Sequence, residues 1–128
     1  MEKKKAGTIL WHDIAVQDAG AVSDFYRQVV GWDKSGLSMG DYDDYVMQAK
    51  EGDAQTGTVG ICHAKGGNAY LPPQWLIYVA VDDLDKSLEQ CTALGGKVIG
   101  DKRKMGDDAV YCLIQDPAGA HLMLWEQR

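Results

Sequence analysis

The chain has 128 residues and 13 Lys and Arg against 19 Asp and Glu, for a formal net charge of −6. That length suits one domain with a real core, and the acidic balance argues against sequence-independent nucleic-acid binding, which needs Lys and Arg to displace counterions, while leaving a cationic small ligand open. The longest apolar run, Trp75 to Val81, is too short to span a bilayer, residues 1–13 lack the apolar stretch of a secretory signal, and three cysteines without a C-x-x-C pairing read as free thiols in a reducing, cytoplasmic setting.

Residues 1–7 read as a frayed polar tail. A strand through Trp11 and Val16 leads to Asp18, a residue type that caps helices by accepting from their unpaired amides. The spacing predicts a helix over Ala19–Val30, with Val22, Phe25, Tyr26, Val29 and Val30 on one apolar face, stopped by Gly31. Short strands follow at Trp32–Ser38, Asp44–Ala49 and Thr58–Ala64, then a linker over 65–72. The second half repeats the order. A strand through Leu76 and Val81 leads to Asp83, a helix over Leu84–Leu94 (apolar face Leu84, Leu88, Cys91, Leu94) and the stop Gly95-Gly96. Strands at Lys97–Lys102, Ala109–Gln115 and Ala120–Glu126 complete it, with Asp116-Pro117-Ala118-Gly119 as a turn and Lys102-Arg103-Lys104 in a loop, either solvated or a basic rim. At an offset of 65, Val16 falls on Val81, Asp18 on Asp83, Val29 on Leu94 and Gly31 on Gly96. The chain is therefore βαβββ twice: modules 8–64 and 73–126 in a single domain over 8–128.

FYRQVVGW (Phe25–Trp32), the VDD–helix–LGG stretch (Val81–Gly96) and DPAGAHLML (Asp116–Leu124), in this order, resemble the vicinal oxygen chelate superfamily, which includes glyoxalase I, extradiol dioxygenases and bleomycin-resistance proteins. Trp11-His12-Asp13-Ile14 is similar to a glyoxalase-related subgroup whose biochemical role is open. The resemblance implies an α+β fold in which two tandem βαβββ modules form a cupped mixed β-sheet around a small-molecule cleft, commonly in a homodimer. In metal-dependent members, four positions on the first and last strands of the modules hold a divalent ion. Carried over one at a time, they fall on Trp11, Leu76, Met123 and, matching Gly57 to Gly119, Ile61. None offers the oxygen or imidazole donors such an ion needs. The resemblance thus implies a lost metal site, no cofactor and no metal-dependent glyoxalase I reaction.

Strand alternation sorts the remaining residues. Trp11, Asp13 and Ala15 are expected on the cleft face, and His12, Ile14 and Val16 on the helix-packed face, with His12 a structural histidine at the strand edge. His63 shares a face with Ile61, His121 with Met123, and Tyr78 with Leu76, so Asp13, His63, Tyr78 and His121 form a candidate polar set. Cys62 is expected against a helix, and Trp75 in the core with Ile77 and Val79. Trp11, Trp75, Tyr78, Tyr111 and Trp125 could stack on a planar or cationic ligand, with Trp75 assigned instead to the core and Trp11 to the pocket wall. The Gly-rich stretch 50–60 lacks the spacing of a phosphate loop. Two functions remain. One is binding of a small molecule in a metal-free cleft through Trp11, Asp13, Ile61, His63, Leu76, Tyr78, His121 and Met123. The other is a metal-independent isomerase or lyase related to lactoylglutathione lyase, with Asp13 and His63 or His121 as acid and base. Neither needs a nucleic-acid or membrane partner.

Overall fold

The computed structural model describes residues 3–50 and 58–128. In chain order it contains β1 (Ile9–Val16), α1 (Ala19–Val30), β2 (Asp33–Ser38), β3 (Asp43–Gln48), β4 (Val59–His63), a short 3-10 turn (Gly66–Asn68), β5 (Leu76–Ala80), α2 (Leu84–Ala93), β6 (Lys97–Met105), β7 (Ala109–Gln115) and β8 (His121–Gln127). This is an α+β protein with the βαβββ order twice. The chain divides into two compact units, His12–Trp75 and Leu76–Arg128, the latter joined by the residues up to Trp11.

In the His12–Trp75 unit the strands run in the order β2-β3-β4-β1, antiparallel except for the parallel pair β1/β4. Asp18 opens α1 by accepting from the Ala21 amide at 3.0 Å. Gly31, at φ 88°, closes it in the left-handed conformation that a side chain disfavours. The core is Ile14, Ala19, Met47 and Ile61, with Val16, Val22, Tyr26 and Tyr45 packed against it. The expected apolar face of α1 is only half right. Val22 and Tyr26 face inward, but Phe25 and Val29 are 57% and 66% exposed. The helix instead seats itself through two small residues, Ala19 and Ser23, both fully buried, with the Ser23 hydroxyl donating to the Gly20 carbonyl at 2.9 Å.

In the second unit the order is β5-β8-β7-β6, with β5/β8 parallel and the others antiparallel. Leu84, Cys112 and Leu124 form the core under α2, joined by Leu88, Val98, Val110, Ile114 and Leu122. Buried Glu126 accepts from the Leu84 amide at 2.7 Å and from the Arg128 guanidinium at 2.8 Å, so the last strand holds the start of α2. The N-terminal segment joins this unit. The Gly7 amide donates to the Ala80 carbonyl at 2.8 Å, and the Lys4 amide to the Gln127 side chain at 3.1 Å.

Two expectations here are corrected. Helix α2 stops at Ala93, and Leu94 is exposed rather than part of its apolar face. Strand β6 runs to Met105, so Lys102-Arg103-Lys104 lies in a strand and not in a loop; a bulge between Ile99 and Arg103 absorbs Gly100. The Gly95-Gly96 stop has a packing cause as well. A Cβ on Gly96 would sit 2.7 Å from Cys91 Sγ and 2.9 Å from the Gln115 carbonyl oxygen. Gly96→Ala must therefore push α2 off β7, and a lower urea midpoint, by on the order of 1 kcal/mol in stability, is the expected result.

Among the described residues, no helix is long and apolar enough to cross a membrane.

Candidate functional site

In each unit one sheet face is covered by a helix, and the opposite face is where chemistry can be displayed. In the second unit α2 covers the face of Cys112, Leu122 and Leu124. Because side chains alternate, the other face carries Leu76, Tyr78 and Ala80 from β5, His121, Met123 and Trp125 from β8, and Tyr111 and Leu113 from β7. The register lines them up in rows: Met123 is opposite Tyr78 on one side and Leu113 on the other, and Trp125 is opposite Ala80 and Tyr111. Leu76, Leu113 and Met123 are fully buried, and Tyr78 is buried as well. Four candidate residues, Leu76, Tyr78, His121 and Met123, are thus placed on one face. Trp11, in the N-terminal segment of this unit, is half-buried.

In the other unit the pairing of β1 with β4 overturns part of the expected arrangement. Ile14 is opposite Ile61, and both lie in the core beneath α1. Asp13 is opposite Gly60, and Ala15 opposite Cys62. Asp13, Ala15 and Cys62 therefore share the α1-averse face, whereas Ile61 and His63 take the helix side. Since Asp13 stands at the repeat position of Tyr78, and Tyr78 is opposite Met123, the counterpart of Met123 is Gly60 and not Ile61. The Gly57 used to align them lies outside the described residues, as does most of the Gly-rich stretch 50–60. A shift of one residue moves a whole strand to the other face.

His63 is held locally. Its Nδ1 donates to the Asp43 carbonyl at 3.0 Å, and its backbone amide donates to the Asp44 carboxylate at 2.8 Å. Tyr42 sets a ring edge-on against the imidazole at 5.2 Å. The histidine fastens the end of β4 to β3, and it stands on the opposite sheet face from Asp13. The acid–base pairing of Asp13 with His63 is thereby excluded.

The expectation for Cys62 is reversed too: it faces away from α1. Burial first, then the Asp13 and Asp44 carboxylates, push its thiol up to about 12. A thiol so protonated is a poor nucleophile. Burial likewise raises Cys112, which lies under α2. Trp75 is half-exposed rather than in a core with Ile77 and Val79. Its Nε1 donates to the Tyr26 hydroxyl at 3.1 Å, and its ring meets Tyr26 and Trp32 edge-on. His12 is exposed.

Of the positions to which the resemblance assigns a divalent ion, Trp11, Leu76 and Met123 stand as read, and Gly60 takes the place of Ile61. They supply no oxygen or imidazole donor, so these residues do not fit a hard or borderline divalent metal. Among the described residues, no group of three or more His, Cys, Asp or Glu is arranged to hold a metal elsewhere.

Arg103, expected in a loop that is either solvated or a basic rim, stands in a strand instead. With β6 extended, Lys102 turns to the α2 side and pairs with Asp85, while Arg103 is opposite Tyr111 on the other face. The available signal is its alternation with Lys102 and Lys104, which has meaning only once the stretch is known to be a strand.

The family model described as Glyoxalase/Bleomycin resistance protein/Dioxygenase superfamily matches residues 8–124. A Mycobacterium bovis protein named "Putative glyoxylase CFP32" is 30% identical over 131 residues, covering 95% of this chain and 46% of its own length. The anthracycline biosynthesis protein DnrV of Streptomyces peucetius is 26% identical over 139 residues, covering 99% of this chain and 50% of its own. The chain spans about half the length of these curated relatives. Among solved structures, glyoxalase I from Zea mays superposes with a TM-score of 0.61 at 15% identity, covering 98% of this chain and 45% of that one, a likeness of fold.

Proposed function

Because the chain belongs to the glyoxalase/bleomycin resistance protein/dioxygenase superfamily, we propose that it binds a small molecule on the helix-averse sheet faces without a divalent metal. The observation that carries this reading is the shared placement of Leu76, Tyr78, Leu113, His121 and Met123 on the face of β5, β8 and β7 opposite α2, an apolar, largely buried row with a phenol and an imidazole on it. An apolar surface with a few polar groups is the usual make-up of a small-ligand site. The acid–base alternative has lost its Asp13–His63 form, and no geometry favours it over binding. The same reading has the chain working as a homodimer, in keeping with relatives of about twice its length. Three free thiols suit a reducing cytoplasm.

A fragment screen followed by amide chemical-shift mapping tests it. Shifts are expected at Tyr78, Leu113, His121 and Met123, and Met123→Lys is expected to weaken binding about tenfold or more by placing a charge on the apolar row. Shifts confined to α1 and α2, with Met123→Lys binding normally, would sink the proposal.

A further inference from the structure

We infer that the groove along α2 is a second small-molecule site, and that it takes an elongated dication with an apolar middle. It lies on the α2 side of the sheet, away from the face proposed above, and does not depend on that reading.

The groove belongs to the second unit and has a volume of about 580 Å³, within the range of about 300–1,000 Å³ usual for small-ligand sites. Lys86, Ser87, Gln90, Cys91 and Leu94 form one wall. They recur at the three- and four-residue spacing of a single helix stripe. Val81, Ile114, Pro117 and Leu124 supply most of the remainder, so the lining is chiefly apolar. The groove also accounts for Leu94. At 72% it is the most exposed large hydrophobic side chain among the described residues, and it extends the apolar wall instead of standing alone in water.

Charge sits at the two ends. Asp82 and Asp83 mark the start of α2, where Asp83 uses one carboxylate oxygen to accept from the Lys86 amide at 3.2 Å. At the far end Pro117 lies beside Gly95, where a Cβ would sit 3.9 Å from Pro117 Cγ, and this brings Asp116 to the mouth. One Asp116 oxygen accepts from the Ala118 and Ala120 amides at 2.8 and 3.1 Å, and its second oxygen takes no part in that turn. Lys86 is the sole cation among the described lining residues, against three carboxylates. A helix rises about 1.5 Å per residue, so the stretch from Asp83 to Leu94 spans roughly 16 Å. An anion meets like charge at both mouths, and a neutral chain gains only apolar contact. A hydrocarbon chain with an ammonium at each end matches all three zones. Exposed ion pairs are individually weak, so the carboxylates set the preference and the apolar middle sets the affinity.

Three ten-carbon probes of equal length separate the terms: decane-1,10-diamine, decane-1,10-diol and decanedioate. Each is titrated into 15N-labelled protein at low, constant ionic strength, with the backbone amides as the readout. The diamine is expected to bind about tenfold tighter than the diol, the dianion weaker than either, and the shifts to fall at Gln90, Cys91 and Leu94. The double variant Asp82→Asn, Asp116→Asn is expected to remove the diamine's advantage and leave the diol's affinity unchanged. Asn at 116 still offers a carbonyl oxygen to the two turn amides. Glu89→Gln, on the same helix but not lining the groove, is expected to keep the preference. Equal binding of diamine and diol, or a preference that Glu89→Gln removes as fully as the double variant does, overturns the dication assignment. Shifts at Tyr78 and Met123 with the α2 amides unmoved, or no shifts with any probe at millimolar concentration, overturn the groove as a site.

Discussion

Leu84→Ala is expected to lower the unfolding free energy by about 2–5 kcal/mol, the usual result of deleting a fully enclosed aliphatic side chain and leaving a cavity. Leu84 has no exposed surface and is the first residue of α2, where it joins Cys112 and Leu124 in the core. Its amide is also the donor that Glu126 accepts at 2.7 Å, so the residue fixes both the depth and the start of the helix. Small domains have only about 5–15 kcal/mol in hand, and the loss is therefore a large share of the total. Urea unfolding followed by tryptophan fluorescence measures it. The slope should stay near wild type while the midpoint falls. A change below about 1 kcal/mol would mean that α2 is not what seals this sheet face.

Asp44→Ala is expected to cost about 1.5–3 kcal/mol, the range for hydrogen bonds to a charged group. Its buried carboxylate accepts from the His63 amide at 2.8 Å, lies 3.5 Å from the imidazole Nδ1, and hydrogen-bonds the Cys62 thiol. Removing it leaves the His63 amide without that acceptor. A second consequence separates this account from simple loss of packing. Cys62 is raised from 9.0 to about 12 by burial, Asp13 and Asp44. Below pH 9 the thiol is protonated whether the chain is folded or not. Between about 9 and 12 the unfolded chain loses that proton while the folded one keeps it, so stability falls as pH rises through that window. In Asp44→Ala the folded thiol ionises at a lower pH, which shortens the window. Iodoacetamide labelling of Cys62 in the folded protein should accordingly begin at lower pH in the variant than in wild type. Identical labelling profiles would remove Asp44 from the neighbourhood of the thiol.

The parts of the fold that are local in sequence are legible in it. Asp18 and Asp83 with Gly31 and Gly95 mark both helices, because caps and left-handed stops act within one turn. The span of β7, Ala109–Gln115, follows from its alternation and flanking turns. Pairings between distant strands are much less so. Nothing between Val16 and Ile61 states that Ile14 will stand opposite Ile61 rather than Gly60, and that one step sends His63 to the helix side and Cys62 away from it. In the second module the short Asp116–Gly119 turn, whose Asp116 carboxylate accepts from the Ala118 and Ala120 amides, pins the start of β8. Leu76, Tyr78, His121 and Met123 therefore fall where alternation puts them. Lys102-Arg103-Lys104 reads as a loop because Gly100 and Gly106 look like turn ends, whereas the chain uses Gly100, at φ 74°, within the bulge of a continuous strand. Phe25 and Val29 mislead for a different reason: α1 seats itself through fully buried Ala19 and Ser23 and turns Val22 and Tyr26 inward, which leaves Phe25 and Val29 outside.

A small-molecule site that works without a divalent ion makes metal content the decisive measurement. Protein purified without a histidine tag is incubated with Ni, Zn, Mn and Fe(II), dialysed, and analysed by inductively coupled plasma mass spectrometry. Because Trp11, Gly60, Leu76 and Met123 offer no oxygen or imidazole donor, far less than one ion per chain is expected for every metal. About one tightly held ion per chain would contradict it and put the three imidazoles, His12, His63 and His121, back among the ligands.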